Sequence, residues 1–243
     1  MRLFATPPYR EVDELLDHAG EASHRDLEHT LRDIRRANIF GLGTWVVKHH
    51  LERLMGDWPP GHQLRILDLG TGSADIPEEL CRWAERRGLD IRFVATDISP
   101  EVLKIARARI EKAGFGDRIT FLACDAARPP FAPGSFDVVV CSLAFHHLSV
   151  KQACAAMPEI ARIGRLGFII NDIFRSRGAW IMAWVLAHFT TTNRLTRHDG
   201  PASVSRAFTP AELRRMAQRA GLCVHVYRHP FWRVAVVGNG KRD

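Results

Sequence analysis

Two adjacent histidines, five acids and one glycine-rich loop are the groups in this chain whose types and spacing suit chemistry. The loop is "ILDLGTGSADIP", residues 66 to 77, where an acid interrupts an apolar run and glycines alternate with small polar residues before a helix-like stretch. Gly70 and Gly72 allow the backbone to approach a ligand closely at a helix start. The dinucleotide fingerprint G-x-G-x-x-G is not completed, because its sixth position is Asp75. A carboxylate there, and another at Asp68 ahead of the glycines, would repel a diphosphate. A zwitterion with an ammonium group suits these charges better.

Asp97 closes the next apolar run, 29 residues after Asp68, where a carboxylate can accept both hydroxyls of a ribose. Ile98 follows it and can pack on one face of an adenine. Asp125 and Ala126 follow a third run, and a carboxylate there can accept a hydrogen bond from an exocyclic amine. His146 and His147 come after a fourth run, and Asp172 ends a fifth. An imidazole can take a proton near neutral pH, and a carboxylate beside it orients the ring and stabilises its charged form. His146 is therefore the candidate base, Asp172 its partner and His147 the substitute. Helix capping or pocket lining is the competing role for the histidines, and an ordinary loop role for Asp172. No metal site is expected, since the other histidines show no ligand-like spacing with Cys or Asp.

These groups must be positioned by the elements around them. Strand-like runs at 64–69, 91–96, 118–123, 136–143 and 165–172 alternate with the helical stretches "PEELCRWAERRG", "PEVLKIARARIEKAG" and "VKQACAAMPEIARI". That alternation predicts a parallel sheet with helices on both faces, binding ligands at the carboxyl ends of its strands. Pro158 is expected to kink or stop the third helix. Residues 1–60 read as a helical extension, with Leu27, Leu31, Ile34 and Ile39 at helical spacing, and "DWPPGH" breaks the chain before the first strand. Residues 173–208 interrupt the alternation as an insertion. Thr209, Pro210 and Glu212 then form a helix start with a capping box. "LCVHVYR" and "FWRVAVVG" flank His229-Pro230 too closely for a parallel return, so they predict an antiparallel hairpin.

The insertion offers a substrate lid. Trp180, Met182, Trp184, Leu186 and Phe189 are apolar enough to cover a flat or lipidic acceptor, with ordinary core packing as the equal alternative. Arg197 can pair with an acidic group of the substrate, and His198 is a second possible base. Asn38 and residues 40–43 are where the amino-terminal helices would close over the bound ligand.

Bulk properties narrow the classes. The chain has 243 residues, 46% of them hydrophobic and 25% charged, which suits a single globular unit with extensions. A net charge of +7 and a pI near 9.6 raise the question of nucleic acid, but no dense basic run with interleaved aromatics occurs, so none is expected as a partner. Five cysteines without a C-x-x-C pair predict buried, reduced thiols in a cytoplasmic protein. The opening "MRLFATPPYR" has no apolar core of a leader peptide, and "AWIMAWVLAHF" (179–189) is too short to span a bilayer.

From about residue 60 onward the sequence resembles class I S-adenosylmethionine-dependent methyltransferases. The motifs that carry the resemblance are "LDLGTGSAD", "ATDISPEVLKIAR", "CDAARPPFAPGSFDVVVCSL" and the terminal hairpin. The resemblance implies a Rossmann-like α/β fold with a seven-stranded, mostly parallel sheet ending in an antiparallel hairpin, and S-adenosyl-L-methionine as cofactor. It implies that Asp68, Gly70, Thr71 and Gly72 hold the methionine part and Asp97 the ribose. Ile98, Asp125 and Ala126 would frame the adenine, and Ser142 would join the cofactor-binding set. Ala74 stands where many relatives have a third glycine. The stretches "SLAFHHL", "FIINDI" and "SVSRAFTPAELRRMAQRAGL" are more similar to the ubiquinone/menaquinone-biosynthesis type and to methyltransferases of aromatic secondary metabolites. Oxygen methylation of a small aromatic or polyketide-like molecule is the leading expectation, with Phe145, Trp180, Trp184, Arg197 and His198 at the acceptor. Carbon methylation of a quinone-type ring comes next. An RNA or protein methyltransferase is suggested only by the pI and lacks an N-P-P-Y-like tetrad, having "CSLA" instead. A non-catalytic adenosylmethionine-binding protein is the remaining reading. The expected organisation is a covering extension at 1–60 and a methyltransferase domain at 61–243.

Overall fold

A computed structural model describes residues 6–59 and 61–240. Residues 1–5, the first half of the opening stretch in which no leader peptide is expected, lie outside that range. The central strands are buried on both faces because their apolar side chains alternate between two cores, as parallel strands between helical layers must. In β1 (Leu64–Leu69), Ile66 enters one core while Leu67 and Leu69 enter the other. In β4 (Phe136–Ser142), Val138 and Val140 face the first core, and Val139 and Cys141 the second. The first core is covered by α2 (Gly43–Met55), α3 (Asp75–Glu85) and α4 (Pro100–Lys112). The second is covered by α5 (Val150–Ile163) and α8 (Pro210–Arg219). Val47 and Leu51 of α2 are fully buried there, so the amino-terminal region contributes to the main core.

The sheet has seven strands in the order β3-β2-β1-β4-β5-β7-β6, with β2 (Ile91–Asp97), β3 (Ile119–Ala123), β5 (Gly164–Ile173), β6 (Val224–His229) and β7 (Arg233–Asn239). β7 runs antiparallel to both β5 and β6, and the remaining pairs are parallel. This is the Rossmann-like sheet with a terminal hairpin that the sequence predicts. Strand order reverses between β1 and β4, which opens a crevice at their carboxyl ends. The hairpin turn carries Phe231 and Trp232 at φ of 57° and 52°.

The Thr209 cap forms as expected: its hydroxyl accepts from Glu212 N at 3.2 Å and the Glu212 carboxylate accepts from Thr209 N at 2.7 Å. Pro158 does not stop the helix, since α5 runs through it to Ile163. Losing one backbone donor is offset by the buried face of Ala153, Ala156, Met157, Ile160 and Ile163, and by a capping box between Ser149 and Gln152. In α1 (His24–Phe40), Leu27 and Leu31 are buried as their spacing predicts, but Ile39 is 49% exposed. The insertion folds as two helices, α6 (Arg177–Thr190) and α7 (Arg194–Arg206). All five thiols are free; Cys81, Cys124 and Cys141 are buried, Cys154 is half-buried, and Cys223, against expectation, is exposed. Burial pushes the Cys81 thiol up to about 12, which keeps it protonated and inert. Among the described residues no helix is long and apolar enough to cross a membrane.

Ala74, at the N-cap of α3, has φ of 55° and no side-chain cap. The left-handed region costs an L-residue about 1 kcal/mol or more. Ala74→Gly is expected to raise stability by about 1 kcal/mol, read as a higher midpoint of thermal unfolding. An unchanged or lower midpoint would contradict the strain assigned to this residue.

Candidate active site

The loop after β1 is shaped by close approach. Gly70 has φ of 70°, and a Cβ on it would lie 2.3 Å from the Cβ of Ala144, so this loop presses against the loop after β4. Thr71 N donates to Thr96 O at 2.7 Å, and Gly72 N donates to Asp97 Oδ2 at 3.0 Å, which ties the loop to the end of β2. The other Asp97 oxygen accepts from Ser99 N at 3.1 Å. Burial nonetheless pushes the Asp97 carboxyl up, against the pull of these backbone donors.

Asp68 is buried at 3% exposure and has no salt-bridge partner among the described residues. Burial pushes its carboxyl up to about 7, Asp75 and Asp97 add repulsion, and only the Thr71 hydroxyl opposes them. A buried acid in this condition is a natural acceptor for an ammonium group. Asp75 is better satisfied: it accepts from Asn38 Nδ2 at 3.0 Å and Ser73 Oγ at 3.1 Å. Asn38 thus reaches the loop, whereas Phe40 faces outward at 77% exposure. Arg233, at the start of β7, was not singled out in the sequence. It is buried, donates through Nη2 to Asn38 Oδ1 at 3.1 Å, and leaves Nη1 without a hydrogen-bond partner. Burial lowers its guanidinium to about 10, while Asp172 and Asp75 hold it charged.

At the far end of the crevice Ile98 is 69% exposed, an uncovered apolar side chain beside a polar loop. Asp125 is exposed and accepts from Ala127 N at 2.8 Å, with Ala126 half-buried between them. Ser142 turns toward the neighbouring strand, accepting from Asn171 Nδ2 at 2.8 Å.

The histidine pair is the second half of the site. His146 Nδ1 lies 2.7 Å from Asp172 Oδ1, and its backbone N donates to Asp172 Oδ2 at 2.9 Å. Both residues are buried. Burial alone would raise the Asp172 carboxyl, but the His146 imidazole and the N–H donors of His146 and Ile173 hold it below its ordinary value. The other ring nitrogen, Nε2, lies 3.8 Å from Glu14 Oε1. Glu14 is buried and that oxygen has no hydrogen-bond partner.

His147 is committed elsewhere: its Nδ1 lies 2.7 Å from Asp17 Oδ1 and its Nε2 is 3.8 Å from Glu14 Oε2. Burial opposes its charge, but the Asp17 hydrogen bond and Glu14 win, and its imidazole is raised. The Asp17 carboxyl is depressed, where the His147 and Arg206 contacts overcome burial. Arg206 bonds Asp17 and donates to His147 O at 2.5 Å, while Asp199 accepts from Leu15 N and Leu16 N at 2.8 and 3.0 Å. Residues 12–21 are thereby strapped across the histidines. Ligand atoms of Glu14, His146 and His147 lie within 4.8 Å of one another, a donor set suited to a divalent cation that spacing alone did not suggest. Arg206 Nη1, 3.8 Å from Glu14 Oε1, already balances that carboxylate.

The expected acceptor residues do not gather at this pair. Phe145 is a core side chain, 1% exposed and edge-on to Phe208. Trp180 and Trp184 are each 41% exposed on the outside of α6, where Trp184 stacks on His188. Arg197 donates to Thr191 O and His188 O at 2.9 and 3.3 Å, closing the end of α6. His198 is exposed beside Asp199 at 2.9 Å. Glu14, Asn171, Arg206 and Arg233 are what sequence reasoning missed, and no spacing rule points to them.

A family model described as "Methyltransferase domain" matches residues 66–167. The chain is 29% identical over 182 residues to the ubiquinone biosynthesis O-methyltransferase of Ralstonia nicotianae, covering 72% of this chain and 71% of that one. It is 31% identical over 102 residues to the ubiquinone/menaquinone biosynthesis C-methyltransferase UbiE of Hahella chejuensis, covering 42% of this chain and 39% of that one. The crystal structure of magnesium protoporphyrin IX methyltransferase from Synechocystis PCC 6803 shares the fold, at a TM-score of 0.61 and 13% identity over 96% of this chain and all of that one. Residues 66–167 thus match a methyltransferase domain, and the chain is an S-adenosylmethionine-dependent methyltransferase, similar to those of class I. Within that class it is similar to quinone-biosynthesis methyltransferases of both the oxygen and the carbon type. Its cofactor is S-adenosylmethionine, which supplies an electrophilic methyl group when bound.

Asp68 gives a test with a defined sign. A folded-state value near 7 means that the charged carboxylate opposes folding above its ordinary 3.8, fully so above pH 7. Asp68→Asn is therefore expected to stabilise the ligand-free protein at pH 8, by up to about 4 kcal/mol at 1.36 kcal/mol per unit, and to leave it little changed at pH 4. Urea unfolding at the two values checks this, and equal effects at both would contradict it. The strap titrates the other way. The His147–Asp17 pair should hold residues 12–21 best between the ordinary values of 3.8 and 6.5, and loosen once pH rises past the raised imidazole. Amide exchange rates in that segment, corrected for intrinsic pH dependence, should show more protection at pH 6 than at pH 9.

Proposed function

We propose that this enzyme methylates a phenolic hydroxyl of a small aromatic acceptor, with His146 as the base and Asp172 as its orienting partner. The observation that carries the reading is the two-point contact between them, through the imidazole at 2.7 Å and the backbone N–H at 2.9 Å. It fixes the ring and leaves Nε2 as the nitrogen that takes the proton. The same proposal assigns the cofactor's ammonium to Asp68, its ribose to Asp97 and its adenine to the surface of Ile98, Asp125 and Ala126. Gly70, Thr71 and Gly72 shape that pocket, with Ser142 beside them, and the unpartnered Nη1 of Arg233 supplies the cation for the methionine carboxylate.

Glu14 stands over His146 Nε2 in this arrangement, so the segment that carries it must withdraw for an acceptor to enter. The strap at residues 12–21 then acts as a cover, which excludes water once the acceptor is seated, while α2 stays packed in the main core. An ionised phenol is also activated at its ring carbon. Carbon methylation of a quinone-type ring is the second reading, supported by the similarity to UbiE of Hahella chejuensis. Five free thiols, three of them buried, suit a cytoplasmic setting.

The test is turnover of a phenol panel and a demethylated quinone precursor with labelled adenosylmethionine, comparing wild type with His146→Gln. The variant is expected to lose about 100-fold or more in kcat while adenosylhomocysteine affinity stays the same. Full activity in the variant would remove His146 from the chemistry.

A further inference from the structure

The α6 helix is packed inside out. Its small residues Ala179, Ala183 and Ala187 form the inner edge, set against α7 where a Cβ on Gly200 would come within 3.4 Å of the Ala187 side chain. Its large apolar residues point away from the protein. Ile181, Leu186 and Phe189 are 57%, 51% and 79% exposed, and both tryptophans are partly uncovered. The helix holds no acid. A helix that buries alanines and exposes Trp, Ile, Leu and Phe needs another apolar phase on its outer side.

The ground beside the carboxyl end of α6 is basic. His29, Arg32 and Arg36 of α1, His188 of α6 and Arg197 of α7 line a surface pocket there. Its one acid, Asp33, is engaged by Thr191 Oγ1 at 2.8 Å and Thr196 Oγ1 at 2.9 Å, and Arg36 lies 3.5 Å from it. We propose that α6 lies in the interface of an anionic phospholipid bilayer, its outer face among the acyl chains and the Arg32–Arg36–Arg197 pocket on lipid phosphates. Tryptophans on a short apolar helix flanked by arginines match the layered polarity of that interface. At 14 residues the helix is too short to span. Charge decides against a second copy of this chain, since an isologous contact would bring two chains of net charge +7 together. The inference does not rest on the acceptor proposed above.

The experiment is co-sedimentation of the full chain with phosphatidylglycerol and phosphatidylcholine vesicles, with tryptophan emission recorded in parallel. Wild type should bind the anionic vesicles at least tenfold more tightly, with a blue-shifted emission. The double variant Ile181→Ser/Leu186→Ser should lose at least tenfold in binding to the anionic vesicles. Both side chains are more than half exposed, so its thermal unfolding should be unchanged. Arg32→Gln/Arg36→Gln should remove the preference for anionic lipid. Equal sedimentation of wild type and the Ser variant would overturn the proposal. So would no vesicle binding, and so would a concentration-dependent dimer, abolished by the Ser variant, in a protein that ignores vesicles.

Discussion

A carboxylate enclosed at the end of the central strand, with no cation of its own, is the constraint around which this site is organised. Asp68 is there because β1 lies in the middle of the sheet with helices on both faces, so whatever follows its apolar residues is buried with them. The resulting penalty is large, since burial and two neighbouring acids oppose the charged form. Those neighbours are themselves fixed. Asp97 is held by the Gly72 and Ser99 amides, and Asp75 by Asn38 and Ser73. The crevice therefore carries concentrated negative charge beside the partly unpaired guanidinium of Arg233, a pattern complementary to a zwitterion.

The second half of the site depends on the first. Gly70 has no room for a side chain because Ala144 lies against it, and Ala144 leads directly into His146 and His147. A shift in the cofactor loop would therefore be transmitted to the turn that carries the base. Asp172 anchors that turn from β5, and Asn171 beside it links β5 to Ser142 and to Gly43 O. The strap through Glu14, Asp17 and Arg206 closes the same turn from outside with titratable contacts, which suits a cover that must open.

The strands and their order were readable because the sheet is made of apolar runs separated by helices of ordinary length, and the acids stand out by ending those runs. The His146–Asp172 pairing was readable because both residues follow neighbouring strands. Glu14 over His146 and Arg233 beneath Asn38 were not, since these contacts join residues more than 130 positions apart that no local periodicity relates. Pro158 does not end its helix because tertiary packing outweighs one missing hydrogen bond. The apolar content of α6 was evident, but its direction was not. Trp180 and Trp184 look like pocket walls until the alanine edge is seen to be the buried one.

The central claim is that the crevice at the ends of β1 and β2 holds the cofactor, and calorimetric titration with adenosylhomocysteine tests it most directly. Wild type should bind, and Asp97→Ala should bind about tenfold or more weakly once a charge-assisted contact is lost. Asp97→Asn, which keeps an acceptor for the Gly72 amide, should separate the loss of ribose contact from loss of the loop. No binding by folded wild type, or undiminished binding by both variants, would contradict the account.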